Sequence, residues 1–232
     1  MKLPRLQIQT IDGLSSDIQS TPLASTIYAF DVKLAKENPY STQAGDGIPG
    51  RNLRVTWHFQ SEPGGSSPKV IAQRWHDQAW LANNPADPLT LCKKAFDAFF
   101  HMKTCIRERR GFDAFDITQP SCRVENTRIA ACLVGMGHPV IGWHWTDFGA
   151  AWHFDQTAAT DAALLHDERL IGKLPNTTIS YVKGAIFGHA AMLGVVKEIQ
   201  STRIEHKGRT AIIGKHIPKA KLDSLEKILF RK

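Results

Sequence analysis

The feature that most constrains the fold is a long helix whose two halves differ in chemistry. Asp87 followed by Pro88 is typical of a helix start, because an aspartate caps free backbone N–H groups and proline suits the first helical position. An apolar stripe then runs at helical spacing through Leu89, Cys92, Phe96 and Phe99. The pattern predicts a helix over residues 88–110 with one buried face.

Beyond Phe99 the same spacing reaches cations. These are Lys103, Arg107 and Arg110, with Arg109 beside them. Unpaired cations are costly to bury, so we expect the last two turns either to leave the globule as a projecting finger or to meet carboxylates or phosphates. The helix dipole favours cations at this end, but it explains one or two of them more readily than four. Gly111 is predicted to stop the helix.

Two segments alternate apolar and polar residues, which is the period of a β-strand. Residues 51–60, RNLRVTWHFQ, give the cleaner pattern and predict a strand with one apolar face and one basic, polar, solvent-facing side. Residues 25–34, STIYAFDVKL, predict a second strand. The turn-rich stretch 36–50 between them is interpreted as a loop, either a connector or a binding loop.

The remaining segments complete the predicted secondary structure. Residues 70–82 have helical spacing, and residues 127–154 look like two or three strands, with Trp143 and Trp145 on one face and His144 on the other. Residues 176–200 fit a helix capped by Asn176 or Thr177, or else a strand pair broken at its glycines.

The C-terminal part is predicted to be a β-hairpin over residues 197–217, turning at Lys207-Gly208, followed by a short closing helix. The fold class expected for the whole chain is α+β, with mainly antiparallel sheets, a projecting basic helix and this C-terminal unit. A length of 232 residues allows one unit, 1–232, or an N-terminal part, 1–128, carrying the helix at 88–110, and a basic C-terminal part, 129–232.

Composition argues against several classes of protein. The four cysteines, Cys92, Cys105, Cys122 and Cys132, lack metal-ligand spacing, and we expect free thiols, no metal site and no cofactor. The N-terminus is too polar for a secretory signal, which favours a cytoplasmic protein. The most apolar stretch, ISYVKGAIFGHAAMLGVV, contains Lys183 and His189, and we expect no membrane insertion.

Positive charge is concentrated at the C-terminus. Residues 197–232 hold ten lysines and arginines against four acids, a surplus of six in a chain whose formal net charge is +7. Such a surplus favours a polyanionic partner. The residues predicted to contact it in this region are Arg203, Lys207, Arg209, Lys215, Lys219 and Lys221.

The function that these features favour is binding of nucleic acid. With many aromatic residues and no helix-turn-helix, zinc-finger or zipper pattern, RNA or a single strand is preferred over duplex DNA. Four cations at the end of the helix, Lys103, Arg107, Arg109 and Arg110, would act together with the C-terminal cations. Other protein subunits are expected as partners, in a nucleoprotein complex.

Two other functions stay open. His206 and His216 lie among the C-terminal cations, an arrangement that suits a metal-independent endoribonuclease with a histidine as general base or acid. A structural assembly protein that docks acidic protein surfaces is the third hypothesis. In size, charge and α+β character the chain is similar to the repeat-processing and backbone proteins of CRISPR effector complexes, but IIGKHIPK lacks their glycine-rich loop, so this is an analogy of class.

Overall fold

A computed structural model describes residues 10–11, 15–34, 40–44, 53–60, 67–147, 149–167 and 177–205. These residues form helices and small antiparallel sheets, which confirms the predicted α+β class. The chain divides into two compact units. The first comprises Met1–His76 and Gly188–Lys232, and the second comprises Asp77–Phe187.

The described part of the first unit contains a four-stranded antiparallel sheet. Its strands are β1 (Thr10–Ile11), β2 (Ser15–Ile18), β3 (Tyr40–Ala44) and β4 (Leu53–Gln60), in the spatial order β1-β2-β4-β3. Strand β4 confirms the alternation at residues 51–60. Assigning the whole of residues 36–50 to a loop is wrong, because β3 lies in that stretch and pairs with β4 along its full length.

The polar side of β4 is covered rather than exposed. Thr56 and His58 are only 8% and 9% exposed. His58 Nε2 lies 3.0 Å from the hydroxyl of Ser41 on β3. The prediction of a solvent-facing polar surface is therefore wrong at these two positions, because alternation identifies the apolar side of a strand but not what covers the other side.

A helix, α1 (Thr21–Ala29), occupies most of the segment predicted to be a strand at 25–34. Ser20 caps it by accepting a hydrogen bond from the N–H of Leu23 at 3.5 Å. Every residue from Leu23 to Tyr28 is buried. The strand prediction is wrong because an element buried on all sides leaves no polar face from which its period can be recognised.

Residues 70–82 are helical as predicted but form two helices. These are α2 (Pro68–His76) and α3 (Gln78–Asn83). Asp77 separates them in an extended conformation and caps α3, accepting a hydrogen bond from the N–H of Trp80 at 3.0 Å. A helix-capping aspartate inside an apolar pattern was the signal for the break.

The described part of the second unit contains a three-stranded antiparallel sheet, ordered β5-β7-β6. Its strands are β5 (Cys122–Val124), β6 (Val140–Thr146) and β7 (Gly149–Phe154). After α3 it holds the helices α4 (Pro88–Glu108), α5 (Thr127–Gly135) and α6 (Ala159–His166), a 3-10 turn (Gln156–Ala158) and the start of a last helix, α7 (Thr178–Glu205).

The strands predicted within residues 127–154 are confirmed only in part. β6 and β7 form a hairpin, but the first segment is the helix α5. Asn126 caps that helix, accepting hydrogen bonds from the N–H groups of Arg128 and Ile129 at 2.9 and 3.4 Å. Its run of buried residues from Ile129 to Leu133 hid the helical period in the same way as in α1.

Helix α7 confirms the helical interpretation of residues 176–200 over the strand pair. Thr177 and Ser180 close its first turn, because each hydroxyl accepts a hydrogen bond from the other residue's N–H. The helix continues to Glu205, so the β-hairpin predicted from residue 197 is wrong over residues 197–205. The second arm of that hairpin and the closing helix lie in residues 206–232, outside the described residues.

By length and composition alone, Thr178–Lys197 is apolar enough to cross a membrane, with a mean hydropathy of 1.4. Lys183 and His189 within it are buried at 3% and 4% exposure. An 18-residue window of this stretch is 44% buried inside the protein. A core helix of a soluble protein has the same properties, so this stretch alone is weak evidence for a membrane span.

Candidate functional site

The predicted long helix is confirmed as α4, and it begins where the sequence indicates. The carboxylate of Asp87 accepts a hydrogen bond from the N–H of Leu89 at 2.9 Å. The predicted stripe, Leu89, Cys92, Phe96 and Phe99, is buried.

The buried face of α4 does not turn basic. Met102 is fully buried and Cys105 is 3% exposed, so successive steps of three residues carry the apolar face beyond Phe99. Lys103 and Arg107 occupy exposed positions beside it. The prediction that cations replace the apolar stripe is therefore wrong, and the projecting finger is not confirmed, since the last turns keep a buried side.

The helix ends at Glu108 and Arg109 is its C-terminal cap, two residues before the predicted stop at Gly111. Arg109 adopts the left-handed conformation, with φ 54°. Gly111 is needed in the turn that follows, because its φ is +113° and a Cβ there would lie 2.5 Å from the Sγ of Cys105. The reversal places an arginine, rather than a glycine, at the exposed corner between α4 and the rest of the unit.

Two of the four predicted cations share one carboxylate. The guanidinium of Arg110 lies 2.8 Å from Glu108, and that of Arg107 lies 3.3 Å from the same residue. The hydrogen bond from Arg110, then that from Arg107, lowers the pKa of Glu108. Both arginine side chains are more than 70% exposed, so solvent screens these pairs and the guanidinium groups stay accessible to other anions.

Arg109 packs on an aromatic ring. Its guanidinium carbon lies 5.4 Å from the centroid of Trp145, which is within the range of a cation–π contact. Trp145 is on β6 and is 46% exposed. Lys103 makes a similar contact at 5.6 Å with Phe99. We call Arg109 and Trp145 the Arg109–Trp145 pair.

A column of indoles supports the exposed tryptophan. The ring centroids of Trp145 and the buried Trp143 are 5.3 Å apart, as predicted for two residues on one face of a strand. Trp143 stacks in turn on Trp152, with ring centroids 5.5 Å apart. Trp143 Nε1 donates a hydrogen bond to the backbone carbonyl of Phe112 at 2.9 Å. Packed indole rings of the sheet, and not a loop, therefore support the Arg109–Trp145 pair.

Most of the C-terminal residues predicted to take part in function are not described. Arg203 lies on α7, in the first compact unit, and its side chain is outside the described set. The remaining predicted residues lie outside the described part of the chain; they are His206, Lys207, Arg209, Lys215, His216, Lys219 and Lys221. Convergence of the two groups of cations on one surface stays a prediction.

The second sheet carries a hydrogen-bonded chain that the sequence did not reveal. The hydroxyl of Ser121 lies 2.7 Å from Nδ1 of His153. Nε2 of the same ring lies 2.6 Å from Nδ1 of His144. We call Ser121, His153 and His144 the Ser121–His153–His144 chain.

The register of the sheet produces this contact. The hairpin pairs Thr146 with Gly149, so His144 faces Ala151 and lies diagonally across from His153 on one face. Strand β5 places Arg123 opposite His153, and Ser121 comes two residues before Arg123. The turn-like sequence DFG after Thr146 was the available signal, because once the pair that closes the hairpin is fixed the rest of the pairing follows.

His153 is held neutral in an enclosed position. Its exposure is 3%, and the ring of Phe115 stacks on it with centroids 3.9 Å apart. Burial lowers the pKa of His153 to about 4, and the nearby His144 and Arg123 act in the same direction. Ser121 and His144 are half-buried.

Within the described residues, no cluster of three or more His, Cys, Asp or Glu side chains is placed to hold a metal ion. Comparison of the chain with models of known families, with curated proteins and with solved structures finds no match.

Proposed function

We propose that this protein binds nucleic acid, with RNA or a single strand preferred, through the Arg109–Trp145 pair and the arginines of the adjoining helix end. The observation that carries the proposal is a guanidinium lying 5.4 Å from the centroid of a tryptophan ring that is 46% exposed. Single-stranded nucleic acid is bound by surfaces that combine cations with aromatic rings on which bases stack.

Rigidity of the aromatic ring supports this role. The ring of Trp145 packs against Trp143, and Trp143 packs against Trp152. A side chain fixed before binding loses little conformational entropy when a base stacks on it. The exposed indole therefore suits a stacking platform better than an indole on an unsupported loop would.

The surrounding charge suits a phosphate backbone. Arg107 and Arg110 are exposed and lie within two residues of Arg109, although Glu108 partly offsets them. A strand whose base stacks on Trp145 would bring a phosphate near these guanidinium groups. Binding through them would weaken as salt rises, by about 0.7 in the logarithmic slope for each phosphate contacted.

The test is fluorescence anisotropy of labelled oligouridylate and oligothymidylate, titrated with the full chain at several salt concentrations. Trp145→Ala should weaken binding about 5- to 150-fold, since stacking of one base on an aromatic ring is worth about 1–3 kcal/mol. Trp145→Phe, which keeps a ring, should retain most of the affinity. Arg109→Glu should weaken binding and flatten its dependence on salt.

Arg128 provides the matched control for charge. It is an exposed arginine on α5, so Arg128→Glu changes the net charge by the same amount as Arg109→Glu. Equal losses in the two variants would mean that binding depends only on overall charge, and the proposed site would be wrong. A monodisperse oligomer that binds neither oligonucleotide would favour the assembly hypothesis instead.

A further inference from the structure

We propose that Ser121 is an activated nucleophile, with His153 as its general base and His144 as the residue that positions that base, and that it hydrolyses small carboxylic esters. The inference goes beyond nucleic-acid binding and does not depend on it. It stands on the geometry of the Ser121–His153–His144 chain, whose two links are 2.7 and 2.6 Å long.

The proton pattern of the chain is restricted. Because two imidazole nitrogens lie 2.6 Å apart, one of them carries a hydrogen and the other accepts it. If Nε2 of His153 donates to His144, then Nδ1 of His153 is free to accept the hydroxyl proton of Ser121. A nucleophile, a base within hydrogen-bond reach and a third group that orients the base form the arrangement used in nucleophilic catalysis, although His144, unlike the carboxylate of a serine–histidine–aspartate triad, orients the base without stabilising its protonated form.

The reaction balances without any further reagent. The Oγ of Ser121 bonds to the ester carbonyl carbon as its proton passes to Nδ1 of His153. Collapse of the tetrahedral intermediate breaks the ester C–O bond, and the departing alkoxide takes the proton from Nδ1. Water then attacks the acyl-serine by the same route, releasing a carboxylic acid and regenerating the hydroxyl.

The environment favours a neutral ester over a phosphodiester. Arg123, the cation opposite His153 in the sheet, is hydrogen-bonded to Glu125 at 2.5 Å, and both side chains are about half exposed, so a phosphate would have to compete with that carboxylate for the guanidinium. Phosphoryl transfer requires cations or a metal ion to stabilise the charge that develops. Ser121 is half-buried as a residue, while Phe115 covers a face of the His153 ring.

The same hydrogen bonds could serve only to stabilise the fold. Covalent labelling distinguishes that structural role from a nucleophilic one. The full chain is treated with a fluorophosphonate probe, which reacts with activated serines, and the adduct is mapped by mass spectrometry. We expect modification at Ser121, its loss to background in Ser121→Ala, and release of about one equivalent of p-nitrophenol in a burst with p-nitrophenyl acetate. A folded wild-type protein without an adduct at Ser121 would overturn the proposal.

Ser180 is the matched control. Ser180 is also half-buried as a residue, but its hydroxyl donates to the carbonyl of Thr177 instead of a histidine, so Ser180→Ala should leave labelling unchanged. His144→Phe should slow labelling at least about tenfold, whereas His144→Asn, whose side-chain oxygen can occupy the position of Nδ1, should restore much of the rate. Equal rates in folded His144→Phe and wild type would exclude the positioning role.

Discussion

The ring of Phe115 lies face to face with the imidazole of His153, with centroids 3.9 Å apart and an angle of 10° between the planes. The N–H of Phe115 donates to the carbonyl of Trp143 at 2.9 Å, which holds the segment against β6. Gly142 makes room for it, because a Cβ there would lie 2.9 Å from the Cβ of Phe115. Close backbone approach thus encloses one face of the histidine.

The lowered pKa of His153 predicts that stability falls in acid. The unfolded chain binds the proton near pH 6.5, whereas the folded protein binds it only near pH 4. Between these values the unfolded state holds more protons, so lowering the pH favours unfolding, by up to about tenfold in the equilibrium constant per pH unit. His144 and Arg123, the groups that oppose the added charge, are both adjacent on the sheet.

Chemical denaturation at a series of pH values measures this effect. The free energy of unfolding should change less steeply with pH between 6.5 and 4 in His153→Gln, because glutamine cannot take up the proton. If the wild type and this variant have the same slope, the acid sensitivity arises elsewhere.

Gly135 lies where α4 and α5 pack closely against each other. A Cβ at this position would lie 2.6 Å from the Cβ of Ala95 and 2.8 Å from the carbonyl oxygen of Leu91. Gly135→Ala should therefore lower the free energy of unfolding by about 1–3 kcal/mol, as overpacking typically does. Urea denaturation provides the measurement.

Gly194 gives the opposite expectation and serves as the control. It lies within α7, and nothing would contact a Cβ there within 4 Å. Gly194→Ala should stabilise the protein by about 0.5–1 kcal/mol, because alanine loses less backbone entropy in a helix. A destabilised Gly194→Ala variant would contradict this account of α7.

Glu108 is predicted to restrain binding of nucleic acid. Its carboxylate forms ion pairs with the guanidinium groups of Arg107 and Arg110. A bound phosphate would have to compete with that carboxylate. Glu108→Gln should tighten binding of oligouridylate and steepen its salt dependence. Lys93 and Asp97 form an exposed pair elsewhere on α4, so Asp97→Gln, with the same charge change, should have a smaller effect.

The four cysteines should differ in reactivity. Cys92 and Cys132 are fully buried, and burial raises the pKa of Cys132 to about 12 and that of Cys92 well above its ordinary value. Cys122 is half-buried. Pulsed alkylation followed by peptide mass spectrometry should find Cys122 modified well before Cys92 and Cys132, and all four should react at similar rates in denaturant.

The sequence was informative where an element kept one face of polar residues. In α4 the start at Asp87-Pro88 and the apolar stripe to Phe99 were recognisable, and in β4 the alternation of apolar and polar residues was recognisable. Each pattern repeats with the period of its own backbone geometry. The sequence failed for α1 and α5, whose residues are buried in unbroken runs. Without a polar face there is no period to detect.

The candidate sites divide in the same way. The sequence by itself determined that arginines gather after Phe99 and that aromatic residues are plentiful. Only the tertiary structure decided that Arg109 lies on Trp145, that Glu108 shares itself between two arginines, and that Ser121, His153 and His144 touch. Contacts between residues far apart along the chain, such as Ser121 with His153 and Arg109 with Trp145, depend on turn lengths and strand register. A shift of one residue in that register would have placed His144, Trp145 or His153 on the opposite face of the sheet.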